Sequence, residues 1–87
     1  MIRLEYTDTF LKDLRILPSF ARTKLKKQLF LLAENPFHSK LHTKPLKGEM
    51  AGQYSFRITR DYRTLFIFTA PEIVKLTTIG HRKEIYR

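Results

Sequence analysis

The chain has 87 residues, 43% of them hydrophobic, which suits a single domain spanning 1–87 around one modest core and is too apolar for a disordered segment. It has no cysteine, which excludes disulfide frameworks and thiolate metal sites. Seventeen Lys and Arg against eight Asp and Glu leave a net charge of +9, a field that favours polyanions: nucleic acid first, an acidic protein partner second.

In chain order, the opening MIRLEYTDTF has no long apolar run with a basic flank, and no stretch approaches the roughly 18 apolar residues of a membrane span. A cytoplasmic protein with no membrane partner is expected. Ile2, Leu4 and Tyr6 alternate with Arg3 and Glu5 as in a short strand. Thr7 or Asp8 can cap a helix whose apolar positions are Phe10, Leu11, Leu14 and Leu17, and Pro18 stops it. Ser19 can cap a second helix with the stripe Ala21, Leu25, Leu29 and Leu32, ended by Asn35-Pro36. Phe37 to Gly52 reads as a basic loop with a short strand near its end.

The period then changes. Tyr54, Phe56 and Ile58 alternate with Ser55, Arg57 and Thr59, which makes a half-buried strand. Arg60-Asp61 forms a turn. Tyr62 to Thr69 is a second strand, Ala70-Pro71-Glu72 a second turn, and Ile73 to Ile79 a third strand ended by Gly80. The fold class is α+β: an N-terminal strand, a helical hairpin, then a three-stranded antiparallel meander, with the helices packed on one sheet face. Ser55, Arg57 and Thr59 point to the opposite face, which must meet solvent or a ligand.

Chemistry concentrates in the second half. Positions 36–87 hold ten Lys and Arg, four acids and all three histidines. Arg57 and Arg63 lie on neighbouring strands near their shared turn, where two guanidinium groups can hold a phosphate between them. The alternatives are solvated arginines, or arginines paired with Asp61 and Glu72. The tail adds His81-Arg82 and Tyr86-Arg87. Cutting RNA without metal needs a group to take the 2′-hydroxyl proton, a group to protonate the leaving 5′-oxygen, and cations to neutralise the phosphorane-like charge. His, Tyr and Arg supply all three. Metal catalysis fits poorly, because the carboxylates are scattered and His38 and His42 sit four apart in a loop with Pro and Lys. No metal and no cofactor are expected.

Leu46-Lys47-Gly48, Tyr54 to Ile58, Asp61-Tyr62-Arg63 and Ile79-Gly80-His81-Arg82-Lys83-Glu84-Ile85-Tyr86 together resemble the RelE/ParE superfamily of toxins from bacterial toxin–antitoxin systems. The resemblance implies two helices against an antiparallel sheet, and a cognate antitoxin that wraps the basic surface. For the RelE branch it implies a metal-independent endoribonuclease that cuts messenger RNA in the ribosomal A site and leaves a 2′,3′-cyclic phosphate. The ParE branch would instead inhibit DNA gyrase. Carried over residue by residue, Arg63 would bind the scissile phosphate and Arg82 would stabilise developing charge. His81 and Tyr86 would share the proton transfers, either one as the base. Lys44, Lys47, Arg57, Arg60 and Lys83 would line the RNA. Ser55 departs from the RelE pattern, which has a lysine there, and Lys44 and Lys47 are candidates to supply that charge.

Overall fold

The computed structural model describes residues 1–86, so Arg87 lies outside the described residues. The order is β1 (Arg3–Tyr6), α1 (Asp8–Ile16), α2 (Ser19–Glu34), β2 (Lys44–Pro45), β3 (Tyr54–Arg57), β4 (Tyr62–Ala70) and β5 (Ile73–His81). The strands form one sheet in the order β1-β5-β4-β3-β2. The meander β3-β4-β5 is antiparallel. β1 lies parallel to β5, with Leu4 opposite Val74 and Tyr6 opposite Leu76. The fold is thus α+β as expected, widened by a two-residue strand in the long loop.

Local signals explain the boundaries. Thr7 caps α1, its Oγ1 accepting from the Phe10 N–H at 3.0 Å. The same hydroxyl donates to the Thr77 carbonyl at 2.7 Å, so one side chain ends β1, starts α1 and ties both to β5. Pro18, rather than Ser19, occupies the cap of α2 with φ −53°, and Ser19 is its first helical residue with no side-chain cap bond. A proline's fixed φ suits this entry, and its carbonyl accepts from the Arg22 N–H at 2.9 Å. β5 runs through Gly80 to His81, because the pairs Arg63–Gly80 and Tyr62–His81 continue the ladder. Gly80 therefore does not end the strand.

The core lies between the helices and one sheet face. Phe10, Leu17, Ala21, Leu25 and Leu32 pack against Phe56, Ile58, Phe66, Val74, Leu76 and Ile79. Removing each large side chain from water contributes about 1.5–3 kcal/mol. Two polar links cross this layer. The Gln28 amide donates to the Arg57 carbonyl at 2.7 Å, and Asp13 Oδ2 accepts from the Ile79 N–H at 2.9 Å.

The double duty of Thr7 is testable. Thr7→Ala should lower the unfolding free energy by about 2 kcal/mol, combining a lost cap with a lost sheet bond. Thr7→Ser should retain most of it. Urea unfolding with an unchanged m value checks this, and a Thr7→Ala midpoint equal to that of the parent would refute it.

Candidate active site

Directly paired residues on neighbouring strands point to the same side of a sheet. Phe56, Thr64 and Ile79 form one such row and are buried under the helices. The flanking rows, Ser55–Leu65–Thr78 and Arg57–Arg63–Gly80, therefore point to the opposite face. Lys44 on β2 extends the first of these rows through its pairing with Ser55.

Arg57 and Arg63 face each other directly, an arrangement of like charges that costs energy unless oxygens share the space. Carbonyls of the β3–β4 loop partly meet this need. Arg63 Nη1 donates to Thr59 O at 2.8 Å, Arg60 O at 2.9 Å and Tyr62 O at 3.2 Å. Asp61 takes Arg82 instead, with Nε 3.7 Å from Oδ1, both side chains being about half exposed. The Arg82 N–H also donates to Asp61 O at 2.7 Å. Arg60, Arg63 and Arg82 thus gather at one loop, and exposed Arg57 lies beside Arg63.

Beyond β5 the chain turns sharply, with the Glu84 and Ile85 N–H groups donating to His81 O at 2.9 and 3.0 Å. Ile85 then lies over Gly80, where an added Cβ would meet the Ile85 Cβ at 3.4 Å. From there the Tyr86 phenol donates to Ser55 Oγ at 3.2 Å. A line from Gly80 on β5 to Ser55 on β3 crosses β4 between Arg63 and Leu65. This crossing explains why Ser55 and Leu65 are only 1% and 3% exposed although they point away from the helices. The open face is therefore partly roofed by the chain's own tail.

His81 stands apart from this face. It pairs with Tyr62 and shares its side of the sheet, the two rings meeting edge to face at 5.8 Å. Its Nδ1 accepts from the Lys83 N–H at 3.2 Å, which leaves Nε2 as the nitrogen free to exchange a proton. Lys83 is exposed, and Lys47 lies farther off, ahead of a 3₁₀ turn at Gly48–Met50. His38 Nδ1 accepts from the Lys40 N–H, and His42 adopts a left-handed φ of 54°. Among the described residues, no three His, Cys, Asp or Glu side chains gather as metal ligands. Sequence reasoning treated Ser55 only as a missing charge. The available signal was Gly80, since a glycine inside a strand marks close approach by another segment.

A family profile described as ParE toxin of type II toxin–antitoxin system, parDE, matches residues 4–86. No curated protein sequence matches the chain. Among solved structures, YafQ from E. coli is 19% identical, covering 100% of both chains with a TM-score of 0.81. A YoeB/ParE toxin from Agrobacterium tumefaciens is 21% identical, covering 93% of this chain and 99% of its own with a TM-score of 0.80. The toxin–antitoxin complex RelBE2 from Mycobacterium tuberculosis contains a chain 28% identical, covering 93% of this chain and 98% of its own, with a TM-score of 0.76.

The loop carbonyls that hold Arg63 set an expectation of their own. Arg63→Lys keeps the charge but loses the planar fork, and should cost about 1–2 kcal/mol of stability. Amide exchange at Ile58, whose N–H donates to Tyr62 O, should rise with it. Unchanged stability and exchange would show that the fork does not hold the loop.

Proposed function

The chain belongs to the ParE toxin family of type II toxin–antitoxin systems, and from that premise we propose that it is a metal-independent endoribonuclease acting on messenger RNA in the ribosomal A site. The observation that carries this reading is the open sheet face, where Arg57 and Arg63 lie side by side next to the tail that brings Tyr86 onto Ser55. Two arginines at directly paired positions on one face can offer a phosphodiester their guanidinium groups together.

In this reading Arg57, Arg63 and Arg82 bind the scissile phosphate and neutralise its charge as the 2′-oxygen attacks phosphorus. Tyr86, on the same face, gives its own proton up to solvent and as the phenolate takes the 2′-hydroxyl proton. The 5′-oxygen leaves with a proton from water, since His81 lies on the other side of the sheet, and a 2′,3′-cyclic phosphate remains. Arginine cannot serve as the acid, because it does not lose its proton in proteins. Lys44, Arg60 and Lys83 extend the basic track along the RNA, with Lys47 at its margin. The ribosome supplies in-line orientation of the 2′-hydroxyl, which the small open face does not enforce alone. The alternative, a ParE-like gyrase inhibitor, needs the basic surface but gives no work to a tail that fixes a phenol among arginines.

We also propose a cognate antitoxin as partner, as in the RelB and DinJ complexes formed by relatives. A groove between α1 and α2 has apolar walls of Tyr6, Leu11, Leu14 and Leu29 and a basic rim of Arg22 and Lys26, which suits an acidic amphipathic segment.

Primer extension on a reporter message in a purified translation system tests the nuclease reading. Wild-type protein should produce cuts at A-site codons only during translation, and Tyr86→Phe or Arg82→Ala should slow cutting by about a hundredfold or more while remaining folded. Intact message with normal protein output would sink this reading, and a supercoiling assay on gyrase would then decide the alternative.

A further inference from the structure

We propose that Ser55 is a positioning residue for Tyr86: its hydroxyl is the seat on which the phenol rests, and Gly80 is the floor that lets the tail reach it. The role rests on the nuclease reading of Tyr86, whereas the seat stands on geometry alone.

A hydroxyl that is 99% buried on the outward face of a strand needs a partner, and the partner here comes from 31 residues farther along the chain. A long side chain at position 55 would fill the space that the phenol enters. Serine is short enough to admit the phenol and polar enough to bond it. At the other end of the crossing, Ile85 lies directly over Gly80, where a Cβ would just touch it at 3.4 Å and a longer side chain would press on the tail. Two small residues, on β3 and β5, therefore define the path of the tail over β4.

The seat also orients the phenol. As a phenol Tyr86 donates to Ser55 Oγ, and as the phenolate of the proposed reaction it accepts from the Ser55 hydroxyl, which leaves its other lone pairs for a group on the substrate side. A tyrosine held this way meets a 2′-hydroxyl as an acceptor, which is the sense its proposed role requires. Released from Ser55, the phenol would sample many directions, and a misplacement near 1 Å can cost up to about a hundredfold in rate. Ser55 touches no substrate in this scheme and acts through Tyr86.

The test is a double-mutant cycle on the full chain, with cleavage in the translation system as one readout and amide exchange at Ile85 and Tyr86 as the other. Ser55→Ala should lower kcat about tenfold with KM unchanged and speed exchange in the tail but not in β4. Ser55→Thr should restore both. If the added methyl of threonine prevents folding, the cycle itself decides: in a Tyr86→Phe background, Ser55→Ala should cause no further loss. A Ser55→Ala protein that cuts at the parental rate would overturn the positioning role, as would losses that multiply in the double variant. Tail exchange that ignores Ser55→Ala would overturn the seat. Wild-type protein that leaves the message whole would overturn the nuclease reading, and the role of Tyr86 with it, while the exchange measurement still reads the seat.

Discussion

The pairing of β4 with β5, interrupted by one extra residue on β5, is the constraint on which both faces of the sheet depend. Phe66 pairs with Leu76 and Leu65 with Thr78, so Thr77 is the residue left over. Below that point every side chain of β5 is shifted by one. An unbroken ladder would set Ile79 opposite Arg63, on the outer face, and Gly80 opposite Tyr62, under the helices. With the bulge, Val74, Leu76 and Ile79 all reach the core, and Gly80 lies bare on the outer face where the tail needs it. The backbone groups freed by the irregularity find side-chain partners. Thr7 donates to Thr77 O, Thr64 donates to Thr78 O, and Asp13 accepts from the Ile79 N–H. Three residues, the cap of α1, one residue within α1 and one on β4, thus hold in place a distortion that would otherwise leave polar backbone unpaired.

That arrangement divides labour between the two faces. The helix side supplies the burial that pays for folding, and its few polar insertions, Asp13, Gln28 and Thr64, each make one bond to the backbone. The outer side carries opposed arginines, which repel each other and add nothing to the core. Such a face is tolerable only because stability is drawn from the opposite side, and because loop carbonyls and Asp61 take up part of the cationic charge. Its residual positive field is what a polyanion meets first.

Much of the fold was legible because it is written in local periodicity. The helical spacing of Phe10, Leu14 and Leu17 and the alternation of Tyr54, Phe56 and Ile58 report which side of each element is buried. Pro18 and Asn35-Pro36 report where elements stop. The parallel placement of β1 beside β5 was not legible, since it joins segments about 70 residues apart and depends on a crossover that no local pattern records. The bulge did leave a trace: apolar residues spaced by two at Val74 and Leu76 give way to a spacing of three before Ile79. For the candidate site, the residue types and the direct opposition of Arg57 and Arg63 could be read from strand alternation near a tight turn. The separation of His81 from that face could not, because it follows from the bulge-shifted register. Ser55 was hidden for a similar reason. Its importance comes from a tail contact, and a serine in a strand has no pattern that distinguishes a seat from a spacer.

The tail turns a usual weakness of small domains to use. Segments that follow the last strand of a small domain normally fray, because their few contacts do not offset the entropy of ordering them. Here the tail is tied at four points: His81 continues the ladder with Tyr62, Arg82 bonds Asp61, Ile85 covers Gly80, and Tyr86 reaches Ser55. Each tie is modest, a single pair or bond worth about 1 kcal/mol. Their sum holds a short strap across the face without locking it into the core. A strap held this way can be ordered in the free protein and still yield to a nucleic-acid chain that brings stronger contacts. It also frees the chemistry of the tail from the demands of packing, since only Ile85 and the phenol ring need to fit the sheet. Residues between those ties, Lys83 and Glu84, are exposed and can be chosen for charge alone. The same economy explains how 87 residues can hold a folded core and a basic surface together: the core ends at Ile79, and the tail beyond it reaches back over the face that the core does not use.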